Sequence, residues 1–165
     1  MKAVFATVAF AVLLPIGALA DPSTSPGYTA YDQAQFAKLA AANGTWTCKD
    51  TPANTKPDVI TAKQSGNWYV WTETGDQPNT TYVRWNHTLQ QYTQIEIDAS
   101  GSSVVFTAKA ADPFNATWKP AFPPGNGMYP YSVAMSGPTS FEASGKFKDA
   151  KTGKVMPFKG VCTKS

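Results

Sequence analysis

His87 is the only histidine in the chain, and it is the first residue to consider for chemistry. An imidazole can serve as an axial ligand of haem or as a ligand of a metal ion. No cysteine, second histidine or carboxylate pair stands beside it in the sequence, so no metal site is predicted. We interpret His87 as a solvated side chain at the end of a strand, with haem ligation left open as an alternative.

Glu96 and Asp98 are the acidic residues most suited by spacing to act together, since alternation places both on one face of a predicted strand. A pair of carboxylates at a suitable distance can hydrolyse a glycosidic bond. Polar residues flank both, and acids are rarely buried without a partner, so we predict that they are surface charges. With one histidine, no Gly-x-Ser-x-Gly motif and no glycine-rich phosphate loop, no catalytic residue is predicted, and an enzyme is the least supported class.

Residues 1–20 have the pattern of a secretory signal peptide. Lys2 precedes an apolar run from Val4 to Leu14, and Ala18-Leu19-Ala20 forms a small-x-small cleavage site before Asp21. The alternative is a membrane anchor, but the apolar run is too short to span a bilayer comfortably. We therefore predict a secreted or periplasmic protein that has no membrane span, with residues 21–29 as a flexible, proline-broken leader.

Cys48 and Cys162 are the two cysteines of the chain. In an exported protein a pair of cysteines is best interpreted as one disulfide, although two free buried thiols are the alternative. The predicted bridge ties the first strand of the folded domain to its last.

Periodicity divides residues 30–165 into one helix and a long run of strands. Apolar residues recur at helical spacing over residues 31–43, and from Gly44 onward the period changes to two. Short alternating segments separated by Gly, Pro, Asn and Asp predict an antiparallel meander of about eight to nine strands over residues 44–165. Together with the helix they form a single all-β domain, residues 30–165. The formal net charge of +3 includes no block of like charges, so a nucleic-acid partner is not predicted.

Residues 111–130 interrupt this alternating pattern with five prolines and four large aromatic residues. This composition is not typical of a free linker, so we predict a flap that folds over the barrel or barrel-like sandwich. Its aromatic residues are Phe114, Trp118, Phe122 and Tyr129.

Alternation also predicts which side chains point into the domain. Trp85, Ile95, Ile97, Phe106 and Phe141 are the predicted core or lumen residues. If the interior is hollow rather than filled, its wall is a ligand pocket. The predicted ligand-binding residues are Trp71, Trp85, His87, Phe106 and Trp118.

Gly44-Thr45-Trp46 follows the helix and opens the first strand. This order, followed by a meander of hairpins, resembles the start of a lipocalin-type or broader calycin barrel. The resemblance implies that the indole packs across the barrel floor and that a disulfide ties in the C-terminal segment. The chain departs from the family in placing its helix before the barrel, and it has no Thr-Asp-Tyr motif.

Two functions follow from these features. The first is a secreted lipocalin-like binding protein for a small apolar or aromatic ligand. The alternative is a non-catalytic module with a filled core, which docks a protein or a glycan through the aromatic flap, residues 111–130.

Overall fold

The computed structural model of the protein describes residues 27–52, 54, 56–121, 128–149 and 152–165. The predicted signal peptide, most of the leader and Phe122 lie outside the described residues. Within those ranges no helix combines the length and the apolar character that a membrane crossing requires.

The predicted helix is present near the start of the described chain. Helix α1 spans Ala30–Lys38 and continues as a 3-10 turn over Leu39–Ala42. Thr29 caps it: its hydroxyl accepts the Asp32 backbone N–H, and its own backbone N–H donates to the Asp32 carboxylate. This capping box satisfies donors that the first helical turn leaves unpaired, and it explains why the helix begins here.

Ten antiparallel strands form a closed barrel in which each strand pairs with its neighbours in sequence and the last pairs with the first. The predicted all-β antiparallel meander is therefore confirmed as a barrel, because closure leaves no free sheet edge. The strands are β1 Gly44–Thr51, β2 Asp58–Ser65, β3 Trp68–Thr74, β4 Asn79–Asn86, β5 Gln91–Asp98, β6 Ser103–Ala108, β7 Asn115–Pro120, β8 Met128–Gly137, β9 Ser140–Lys148 and β10 Val155–Lys164.

The tenth strand comes from the segment predicted to be a flap. Strand β7 pairs with β6 and β8, and Trp118 on it is only 1% exposed. Its indole stacks on Tyr131, with ring centroids 6.5 Å apart and planes 10° apart. Residues 115–120 of the predicted flap are thus a strand of the barrel wall. Alternation along this strand turns Trp118 inward.

The predicted disulfide closes the barrel. Cys48 and Cys162 are directly opposite each other in the register of β1 and β10, and their sulfur atoms are bonded at 2.01 Å. Both side chains are buried, next to Trp46. The bridge spans a sequence separation of 114 residues, so it joins the two ends of the meander.

Helix α1 covers one end of the barrel, and the side chains below it form a packed floor. Phe36 contacts Tyr69 with ring centroids 5.3 Å apart, and the Tyr92 hydroxyl donates to the Gln35 backbone oxygen at 2.9 Å. Leu39 is fully buried in the same cluster. This end is therefore closed by apolar packing and by satisfied polar groups.

Strand β5 faces the opposite way to our prediction. Tyr92 and Gln94 are buried on the inward face, whereas Ile95 and Ile97 lie on the alternate face, where Ile97 is 36% exposed. The prediction that these isoleucines are core residues is wrong, since register places Tyr92 opposite the buried Trp85. Among the other predicted core residues, Trp85 and Phe106 are buried and Phe141 packs against the core.

Candidate binding site

A cavity of about 390 Å³ lies inside the barrel on the side away from helix α1. On β3 and β5, Tyr69 and Tyr92 belong to the packed floor, and Trp71 and Gln94 line the cavity one inward position further along. Pro52 and Gln77, which follow β1 and β3, also line it. The cavity therefore extends from the floor toward the barrel end opposite the helix.

Aromatic rings form the inner part of the cavity wall. Trp71 stacks on Phe114 with centroids 6.1 Å apart and planes 26° apart, and Phe106 contacts Tyr131 edge to face at 5.2 Å. The Trp71 indole nitrogen is buried and has no hydrogen-bond partner among the described residues. A buried donor without a partner is unfavourable, so this N–H is an unsatisfied group on a side chain that lines the cavity.

Hydrogen bonds hold two groups of polar side chains in the cavity wall. In one, Thr81 donates to Asn79 at 3.3 Å and the Asn79 amide donates to Glu73 at 2.8 Å. Across the barrel, the Tyr131 hydroxyl donates to Gln94 Oε1 at 2.6 Å. These bonds fix the rotamers of the polar groups, and the second carboxyl oxygen of Glu73 takes no part in them.

Carboxyl groups from four strands meet the cavity nearer its opening. Burial raises the pKa of Glu73 to about 7; the Asn79 hydrogen bond opposes this rise, and the neighbouring acids add to it. Burial and the adjacent Asp58 carboxyl raise the pKa of Asp50 to about 6. Burial, then the charge of Asp98, raises the pKa of Glu96. The four acids that line the cavity are Asp50, Asp58, Glu73 and Glu96.

The structure brings together only part of the predicted ligand-binding set. Trp71 and Phe106 line the cavity. Trp85 and Trp118 belong to the packed core and do not line the cavity, with Trp85 in edge contact with Tyr92 at 4.9 Å. His87 follows β4 at the helix end, where its ring contacts Tyr28 at 5.0 Å, so it brings no imidazole to the cavity.

The cavity acids were missed by sequence reasoning, which predicted that Glu96 and Asp98 share the solvent face. Glu96 lines the cavity and only Asp98 is exposed, where it caps the turn after β5. One signal could have identified Glu96 as an inward-facing residue. Alternation places it on the same face of β5 as the aromatic residue Tyr92, and the strand before β5 carries Trp85. The polar face of β5 was assigned to solvent because buried polar residues are uncommon.

The sequence matches no protein-family model, and no curated protein is significantly similar to it. The closed antiparallel barrel is consistent with a calycin-like fold in general. The site must therefore be interpreted from its own geometry.

Proposed function

We propose that the protein is an exported, lipocalin-like binding protein whose ligand is a small molecule with an aromatic or apolar ring system. The observation that carries this proposal is the cavity of about 390 Å³, with Trp71, Phe106 and Phe114 in its wall. Small-molecule sites are typically concave, of this size class, and mainly apolar with a few placed polar groups.

Export is supported by the Cys48–Cys162 bond, since disulfides persist mainly in oxidising compartments. The N-terminal pattern of residues 1–20, which lie outside the described residues, supports it independently.

The alternative function, docking through the aromatic residues of 111–130, receives less support from the described part of that segment. Trp118 is buried beneath Tyr131, and Tyr129 lines the cavity. Phe114 is buried against Trp71. An aromatic residue that is already packed inside the barrel offers no surface to a protein or a glycan.

Binding of 2-naphthylmethanol by titration calorimetry tests the proposal, with two tryptophans of one strand as a matched pair. Trp71 lines the cavity, whereas Trp68 packs on the outside against Tyr82 and Arg84. Trp71→Leu should weaken binding by about tenfold because it removes a ring contact. Trp68→Leu should leave binding unchanged.

A second variant tests the cavity without removing a core side chain, in case Trp71→Leu destabilises the fold. Ala143→Phe adds a ring at a cavity-lining position and should block binding while the protein still unfolds cooperatively. Failure of the wild-type protein to bind the naphthyl probe, or equal loss from both tryptophan variants, would overturn the proposal.

A further inference from the structure

Four carboxyl side chains converge on the cavity from strands β1, β2, β3 and β5. The register places them at successive inward positions around the wall: Cys48 lies opposite Asp58, Ile60 opposite Glu73, and Thr81 opposite Glu96. Asp50 is one inward position beyond Cys48 on β1. Because neighbouring strands carry them at adjacent heights, the four groups form one acidic arc in the cavity wall, composed of Asp50, Asp58, Glu73 and Glu96.

Hydrogen bonds and electrostatic interactions link the members of this arc. The Asn54 amide donates to both Asp50 and Asp58, which holds the two carboxyl groups together. The charges of Asp58, Glu96 and Asp50 all act on Glu73. Lys146, which is exposed, is the one basic side chain among the described residues that line the cavity. The cavity therefore carries a negative potential that its own wall does not neutralise.

Asp58 provides a second and separate observation. Its side chain is 6% exposed, and its Oδ1 accepts no hydrogen bond from any described residue. A buried carboxylate oxygen without a donor is strongly unfavourable. This uncompensated oxygen adds to the free-energy cost of burying acidic groups in the wall, and a positive charge inside the cavity would offset that cost.

Two glycines make room for the acids. A Cβ at Gly160, which lies opposite Asp50 on β10, would stand 2.5 Å from Asp50 Oδ1. A Cβ at Gly75 would overlap Asp58 Oδ1. The backbone at both positions thus accommodates carboxyl groups inside the barrel that any larger residue would displace.

We infer that the ligand is an organic cation, in which an ammonium or related N–H donor group meets the acidic arc and an apolar or aromatic body lies against Trp71 and Phe106. This inference rests on the proposed ligand cavity and specifies the chemistry of its occupant. A cationic donor supplies charge-assisted hydrogen bonds to carboxylates. An anionic ligand such as a carboxylate would be repelled by the same groups.

A bare metal ion fits the arc less well. No group of three or more His, Cys, Asp or Glu side chains in the described ranges could hold a metal ion. The aromatic rings directly below the acids offer an apolar body its own contacts, which a metal ion cannot use.

Three probes of matched shape test the inference: 2-naphthylmethylammonium, 2-naphthylmethanol and 2-naphthoate. At pH 8 the cation should bind the wild-type protein at least about tenfold more tightly than the alcohol, and naphthoate should bind most weakly. Glu73→Gln and Glu96→Gln should each weaken binding of the cation by about tenfold and weaken binding of the alcohol much less. Glu142→Gln is the control, because Glu142 pairs with Lys159 and its side chain is 40% exposed.

The outcomes separate this inference from the proposed function. If the alcohol binds as tightly as the cation, or if Glu142→Gln weakens the cation as much as Glu73→Gln does, the inference is wrong while the ligand cavity stands. If none of the three probes binds, both the inference and the proposed function are overturned.

Discussion

Trp85 Nε1 donates a hydrogen bond of 2.7 Å to Asp32 Oδ1, which joins the barrel strand β4 to helix α1. The same carboxylate accepts hydrogen bonds from Thr29 and, at 3.2 Å, from the Gln90 side chain. Asp32 is only 2% exposed, yet each of its oxygens has a donor. The helix is therefore held on the barrel end by a buried anion as well as by apolar packing.

Asp32→Ala should lower the free energy of unfolding by about 2–3 kcal/mol, since hydrogen bonds to a charged group are lost and the Trp85 N–H is left buried without a partner. Urea denaturation at pH 7 measures this. Gln90→Ala removes the longest of these bonds, together with the exposed hydrogen bond from Gln90 Nε2 to the His87 backbone oxygen, and should have a smaller effect of about 1 kcal/mol. Equal effects of the two substitutions would contradict the role given to Asp32.

The effect of Asp32 should depend on pH in the acid range. Burial acts to raise its pKa, but the hydrogen bonds from Thr29, Trp85 and Gln90 outweigh burial and lower the pKa from 3.8 to about 2. A depressed folded-state pKa stabilises the fold above the unfolded value, and this stability is lost as the pH falls. The difference between wild type and Asp32→Ala should therefore be constant above about pH 5 and shrink as the pH falls through about 2.

Removal of the disulfide by a double Cys48→Ala, Cys162→Ala substitution should destabilise the protein strongly. The bond closes a separation of 114 residues, for which the chain-entropy model gives about 4–5 kcal/mol. Urea denaturation of the oxidised wild type and of the double variant measures the difference. A loss below about 1 kcal/mol would show that pairing of β1 with β10 holds the barrel closed without the bond.

Glu73→Gln should stabilise the unliganded protein at pH 8. The pKa of Glu73 rises on folding from 4.5 to about 7, so the folded state binds the proton more tightly, and wild-type stability falls as the pH rises through this window. Glutamine does not titrate, so the variant should be more stable by about 1–3 kcal/mol at pH 8 and similar to wild type below pH 4.5. The exposed Glu142→Gln should show no such crossover.

Affinity for 2-naphthylmethylammonium should rise between pH 5 and pH 8, because a bound cation favours the ionised acids. Glu73, with a pKa of about 7, and Asp50, with a pKa of about 6, titrate in this range. Calorimetry across the range should show a rise of about tenfold for the cation and a flat profile for the alcohol. A flat profile for both would contradict the acidic arc. The other charged or titratable side chains among the described residues that line the cavity are Asp50, Asp58, Glu96, Tyr129, Tyr131 and Lys146.

Much of the fold could be predicted from the sequence because its signals are local. Hairpin turns such as Ser65-Gly66-Asn67 and the alternation that followed them marked most of the strands, and the cysteine pair predicted the closure between β1 and β10. Strand β7 was missed because prolines surround it, and proline is a strong turn signal. Its single buried tryptophan did not distinguish a strand from a loop.

The candidate site could be predicted only in part. Trp71 and Phe106 were identified because aromatic residues on alternating strands tend to face inward. The acids could not be assigned, since alternation defines two faces of a strand without saying which is inside. On β5 we predicted that Ile95 faces inward and Glu96 outward. Only the strand pairing across the whole barrel shows that the opposite face of β5 lies inside.

The most direct test is a crystal structure of the protein saturated with 2-naphthylmethylammonium. The account predicts the naphthyl ring inside the barrel against Trp71 and Phe106, with the nitrogen within hydrogen-bond distance of a carboxylate of the acidic arc. A barrel interior filled by its own side chains, or a probe bound only on the outer surface, would contradict it.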